Sequence, residues 1–196
     1  MRSPRSSPSP PGKFRRPVVI LAGGADGEDP ESAAQAKSLI QSAFSGFAGT
    51  LISGGTTSGV AGIAGDIAGA CRRAQVIGYL PRRLGTARRD RRYTRFRATP
   101  GRAFSVAECL LYWSDLIAAG VDPASVTLLG WGGGRIAALE YRIALTLGAR
   151  VGIVSGSGRS ADALRGDPRW SGFPGLVFLA RNAVAIRRFL APLMST

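Results

Sequence analysis

No histidine occurs anywhere in the chain's 196 residues. That excludes serine–histidine triads, histidine general bases and histidine metal ligands. Cysteine is scarce as well. Cys71 and Cys109 are the two present, and both fall in apolar helical patterns. They read as small buried hydrophobes in a reducing cytosol rather than as a disulfide or a nucleophile. No metal site and no resident cofactor are therefore expected. No apolar run approaches the roughly 20 residues that a membrane helix needs. Residues 1–16 are basic and Ser/Pro-rich without the apolar centre of a secretory signal. The expectation is a cytoplasmic protein with no membrane partner. Two nucleotide fingerprints are also missing: Gly-x-Gly-x-x-Gly after the first apolar run, and Gly-Lys-Ser/Thr anywhere. An ordinary NAD dehydrogenase and a P-loop kinase are excluded on that ground.

What is present is a chain long enough for one domain with a real core. It is 45% hydrophobic, with a mean hydropathy of +0.09. The formal net charge is +14, which invites a nucleic-acid reading. Its location matters more than its size. Residues 1–16 carry five positives and no acid, and residues 82–102 carry nine arginines against Asp90, so the rest of the chain keeps a net charge of only +1. Residues 1–15 lack periodicity and are expected to be a disordered tail, leaving residues 16–196 as a single domain with a basic loop at 82–102.

Along that domain, short apolar runs alternate with helical patterns. Strands are expected at residues 17–22, 49–53, 74–80, 125–130, 149–154 and 175–179. Helices are expected at 30–47, 60–73, 104–119, 135–147 and 182–193. Such alternation predicts an α/β, Rossmann-like doubly wound parallel sheet of about six or seven strands with helices on both faces. Four of the strands end in glycine turns: Gly23 and Gly24; Gly54, Gly55 and Gly59 around Thr56, Thr57 and Ser58; Gly132, Gly133 and Gly134; and Gly156 and Gly158 around Ser157. In a doubly wound sheet these turns share one edge, where ligands bind at the topological switch point. Helix N-termini and exposed N–H groups there favour anions.

The stretch Gly54-Gly-Thr-Thr-Ser-Gly-Val60 is the leading candidate for a phosphate cradle, with a tightly packed turn as the plainer reading. Gly132, Gly133 and Gly134 would form its facing wall. Arg135 at the next helix start is unfavourable to that helix's dipole unless an anion binds beside it; otherwise it points into water. Gly156, Ser157, Gly158 and Arg159 would close the groove. Glu108 and Asp115 share one helix face and fit either a site or a solvated stripe, and Asp66 reads as structural. Trp113 reads as core, and Trp131 as either a base-stacking ring or core. In the basic loop, Tyr93 and Phe96 interleave with arginines. That pattern fits a lid over a polyanion, a single-stranded nucleic-acid surface or a solvated insertion.

Gly54-Gly-Thr-Thr-Ser-Gly-Val60 and Gly133-Gly-Arg-Ile-Ala-Ala-Leu-Glu140 together resemble the paired motifs of the SLOG superfamily, which includes the LOG-type phosphoribohydrolases. Patterns at Phe104-Ser, Glu108, Trp113-x-Asp115-Leu, Leu128-Leu-Gly and Ala144-Leu-x-Leu-Gly-Ala149 resemble its prokaryotic branch related to the N-terminal region of melastatin-type TRP channels. The resemblance spans about residues 17–190. It implies binding of a nucleotide-derived ligand such as ADP-ribose or a nucleotide sugar, with Glu140 accepting hydrogen bonds from ribose hydroxyls, and a homodimer. In the hydrolase branch a glutamate matching Glu140 is catalytic. Here Ile136 and Ala137 stand where that branch carries Gly and Thr, which favours binding over cleavage. Three functions are thus carried forward: a nucleotide-derived ligand, a nucleoside 5′-monophosphate phosphoribohydrolase, and single-stranded nucleic-acid binding through the basic loop.

Overall fold

The computed structural model describes residues 13–24 and 30–191. Residues 1–12 of the expected tail lie outside the described residues. Seven strands form one sheet: β1 (Val18–Gly23), β2 (Thr50–Ser53), β3 (Gln75–Pro81), β4 (Arg95–Thr99), β5 (Val126–Trp131), β6 (Arg150–Val154) and β7 (Leu176–Leu179). The helices are α1 (Pro30–Ala43), α2 (Gly59–Ala70), α3 (Val106–Ala118), α4 (Arg135–Thr146), α5 (Arg159–Gly166) and α6 (Ala183–Leu190). Every strand pairing is parallel, in the order β4-β3-β2-β1-β5-β6-β7.

Parallel strands must be covered on both faces, so they read as unbroken apolar runs. Five consecutive buried residues in β1 and six in β5 follow that rule. The two faces carry separate cores. One packs Cys109, Tyr112 and Leu116 of α3, Tyr141 and Leu145 of α4 and Leu164 of α5 beneath the sheet. The other packs Ile40 of α1, Ile63 and Ile67 of α2 and Ile186 and Phe189 of α6. From β1 the chain steps outward to β4, then α3 carries it back to β5 on β1's other side. The crevice between the C-terminal ends of β1 and β5 is therefore the switch point.

One expectation is corrected here. Residues 82–102 are not a loop throughout, because Arg95–Thr99 is the edge strand β4. Parallel neighbours need a crossover of a dozen or so residues, usually a helix. Residues 82–94 serve as that crossover without one. Tyr93 anchors it, buried in the α2-side core with its hydroxyl donating to the Ala61 carbonyl at 2.7 Å. Arg92 forks onto Asp90 and reaches Asp66. Arg97 of β4 forks onto Asp115 of α3, which also accepts from the Tyr79 hydroxyl. A second correction is α5, which begins at Arg159, where the sequence showed only a turn. Arg15, placed in the tail by composition, pairs with β2: its N–H donates to Thr50 Oγ1 at 2.7 Å.

Candidate functional site

The four glycine turns lie at the C-terminal ends of β1, β2, β5 and β6, along one edge of the sheet. At the switch point the ends of β1 and β5 are tied directly, the Gly24 N–H donating to the Trp131 carbonyl at 3.2 Å. Gly24 in turn accepts from the Val60 N–H at 3.0 Å, which brings the start of α2 against the same crevice. Gly133 has a φ of +88°, and a Cβ there would meet Ala137 Cβ at 2.4 Å. Only glycine lets α4 begin this close to β1. Beside Gly24 and Gly134 the space is taken by Arg159: Cβ atoms built at these two glycines would lie 3.8 Å and 3.4 Å from its guanidinium nitrogens. Arg159 is also the one non-glycine residue with a positive φ, +53°, among the described residues. A sparsely populated backbone conformation thus aims a guanidinium at the crevice between β1 and β5.

The Gly54–Gly59 loop is shared between the site and its support. Its middle is held by the arginine crossover: the Thr57 N–H donates to the Arg88 carbonyl, the Asp90 N–H donates to the Gly55 carbonyl, and Thr56 bridges Arg89. Thr56 is buried, Thr57 and Ser58 are exposed, and Ser58 caps α2 without a side-chain hydrogen bond. At the loop's start, Gly54 lies under the ring edge of Phe104, 3.7 Å from where its Cβ would be. The turn after β6 is more fully committed to structure. Asp162 accepts from the N–H groups of Gly156 and Gly158 at 2.8 and 2.9 Å. Ser157 turns inward, accepting from the Gly132 N–H and donating to Val154. The first N–H groups of α5 are bonded to Gly132 and Gly133. This turn therefore supports the wall formed by residues 132–134, and of its four candidates Arg159 is the one that enters the crevice.

Glu140 lies half-buried on α4 facing α3, where Tyr112 donates to Oε1 at 3.4 Å. Burial pushes its carboxyl up to about 7; the Tyr112 hydrogen bond opposes this and the nearby Glu108 charge adds to it. Arg135 is exposed at the head of the same helix.

The remaining candidates have structural partners. Glu108 closes a capping box with Ser105 and accepts from Thr99 Oγ1 of β4. Asp115 is fully engaged by Arg97 and Tyr79, and Asp66 by Lys37 and Arg92. Neither tryptophan is offered to a base. Trp113 is buried, and Trp131, the strand's last residue, is buried beneath the Arg181 guanidinium. Phe96 stacks on buried Tyr93 and is covered by Arg89. Phe104, by contrast, lies half-buried beside Gly54, and no glycine spacing marks it. Its sequence signal is its place immediately before the Ser105 cap.

A Gly-rich crevice at the switch point of a doubly wound parallel sheet defines a Rossmann-like ligand-binding architecture. The family model described as "SLOG in TRPM, prokaryote" matches residues 16–173, and the chain belongs to that family. No curated protein matches by sequence. Among solved structures, the molybdenum cofactor carrier protein of Chlamydomonas reinhardtii is similar at a TM-score of 0.65 and 17% identity, covering 93% of this chain and all of that one (100%). The molybdenum cofactor binding protein of Rippkaea orientalis gives 0.65 and 18%, covering 92% and 99%. The X-ray structure of TM1055 gives 0.63 and 15%, covering 90% and 99%. At these identities the likeness is one of fold.

Proposed function

We propose that the protein binds a nucleotide-derived ligand, of the ADP-ribose or nucleotide-sugar type, in the β1–β5 crevice. The observation that carries this reading is Arg159. Its guanidinium stands beside Gly24 and Gly134, at the start of α4, where a phosphate would meet backbone N–H groups, a helix dipole and a positive charge together. Gly54, Gly55 and Gly59 with Thr57 and Ser58 would contact the adjoining phosphate or ribose, and Glu140 a hydroxyl deeper in the α3–α4 seam. The carriers in Chlamydomonas and Rippkaea bind a molybdenum cofactor, so that compound belongs beside the nucleotides in any survey.

A thermal-shift panel of ADP-ribose, its cyclic forms, NAD, mononucleotides and molybdenum cofactor tests the reading. A ligand at 100 times its dissociation constant adds about 2.7 kcal/mol of apparent stability. A panel without any shift, or a shift that survives Arg159→Glu unchanged, overturns it.

Hydrolysis of an N-glycosidic bond is favoured by one observation, the Glu140 carboxyl held near neutrality, where a general acid works best. Incubation with nucleoside 5′-monophosphates decides it, since free base must appear and must vanish in Glu140→Gln. Nucleic-acid binding has less support, because Arg92 and Arg97 are spent on carboxylates and Tyr93 is buried. The reading of Cys71 and Cys109 as reduced thiols favours the cytoplasm, and the family resemblance favours a homodimer. Exposed Leu110 and Ile117 on α3 and Leu139 on α4 support the dimer, and sedimentation of a Leu110→Arg variant checks it.

A further inference from the structure

We infer that Phe104 is the platform on which the planar base of the ligand stacks, making it the residue that selects a heteroaromatic ring. This rests on the ligand reading above and adds which part of the ligand is read, and by what. Every other aromatic side chain among the described residues is either buried or packed on one of the two cores. Phe104 alone is half-buried and belongs to neither. A ring of this size left off the core has lost much of the burial that normally fixes an aromatic side chain.

Its position gives it something else to do. The ring edge lies against Gly54 at the end of β2, where the Ala61 methyl of α2 also comes close. Both of these groups are small, and the ring keeps part of its surface open to solvent. β2 adjoins β1, so Gly54, against which the ring lies, stands at the end of the strand next to the switch point. Arg159, the first residue of α5, reaches the switch point itself, beside Gly24 and Gly134. A ligand with phosphate at Arg159 and a base at Phe104 would lie across the ends of β5, β1 and β2, the extended path a nucleotide takes over such a sheet.

The ring is also pre-positioned. Ser105 accepts from the Ala107 N–H, and its own N–H donates to Glu108 at 2.8 Å. Glu108 is tied in turn to Thr99 of β4. The capping box fixes the chain's entry into α3, and Phe104 is the residue that enters.

The test compares two base-bearing probes, ADP-ribose and adenosine 5′-monophosphate, with base-free ribose 5-phosphate by calorimetry. Phe104→Ala is expected to weaken both base-bearing probes by roughly five- to a hundredfold and to leave ribose 5-phosphate within twofold. Phe104→Trp should restore affinity, with quenching of the added indole when adenosine 5′-monophosphate binds. If Phe104→Ala does not fold, Phe104→Leu keeps the apolar contact with Gly54 and Ala61 but lacks the π face, and must show the same selective loss. Equal losses on all three probes, or no loss, overturn the stacking role while leaving the ligand reading intact. If the unmodified protein binds none of the three probes, the stacking role is overturned, and the ligand reading falls with it only where the wider thermal-shift panel is silent too.

Discussion

Tyr112 donates its phenolic hydrogen to Glu140 across the seam between α3 and α4, at 3.4 Å. The two helices cover the same face of the sheet, and this contact joins their buried sides. It sets a carboxyl where desolvation raises its pKa from 4.5 to about 7, with the Glu108 charge acting in the same direction.

A pH dependence follows from that shift. Between pH 4.5 and 7 the folded protein holds the Glu140 proton while the unfolded chain has released it. Stability therefore falls as pH rises through this window. Glu140→Gln keeps a hydrogen-bond acceptor for Tyr112 and removes the titration. Relative to the unmodified protein, the variant should gain on the order of 1–3 kcal/mol between pH 4.5 and pH 8, the partial exposure of Glu140 keeping the gain below the full shift. Urea denaturation of both proteins across that range measures it, and a pH-independent difference would contradict the assignment.

The fork between Arg97 and Asp115 ties β4 to α3, with N–O distances of 2.8 and 3.0 Å. Asp115 is buried and Arg97 mostly so. Removing one member of such a pair leaves an uncompensated buried charge. Asp115→Ala and Arg97→Ala should each cost about 3 kcal/mol. The double variant should cost clearly less than the sum of the two. Strict additivity in equilibrium unfolding would mean that the pair is not coupled.

Two glycines of α2 should respond to alanine with opposite signs. Gly65 carries the Asp90 carboxylate against its backbone, so that a Cβ would sit 1.9 Å from Oδ2. Gly69, one turn later, is exposed and has nothing within 4 Å of the Cβ position. Helix propensity favours alanine by up to about 1 kcal/mol at both positions. At Gly69 that gain stands alone and should raise the melting temperature. At Gly65 the clash displaces a buried carboxylate held by Arg92, and a net loss of roughly 1–3 kcal/mol is expected. Thermal unfolding of the two single variants separates them.

The alternation of apolar runs and helical patterns was enough to recover the parallel sheet and its two covered faces, because strands such as Val18–Gly23 are buried throughout. The glycine turns were equally legible, since parallel topology alone sends them to one edge. The arginine crossover was not. Arg95 and Arg97 occupy a half-exposed edge strand, where the short alternation with Phe96 and Ala98 is submerged in a run of arginines. The Asp115 carboxylate that pairs with Arg97 comes from a helix 18 residues away in sequence. The capture of the Gly156 and Gly158 N–H groups by Asp162 was hidden for a related reason: side-chain capping cannot be told from ligand binding by glycine spacing. Trp131 ends its strand beside the glycines, yet its ring points into the core. A one-residue difference in position decides which face a strand residue serves.

Arg159 brings backbone conformation and binding together in one residue. A side chain at a φ of +53° costs roughly 1 kcal/mol relative to glycine, and Gly158 immediately before it already has a φ of +85°. The turn therefore keeps a disfavoured residue where glycine would be at ease. In a purely structural turn, Arg159→Gly would relieve the strain at no functional cost. If the guanidinium holds the ligand's phosphate, the same change removes a charge-assisted contact worth about 1.5–3 kcal/mol. The expected result is a variant that still unfolds cooperatively without ligand and whose affinity for ADP-ribose is lower by at least about tenfold. Differential scanning fluorimetry without and with ADP-ribose reads both quantities on one sample. Unchanged affinity in a well-folded Arg159→Gly variant would remove Arg159 from the site.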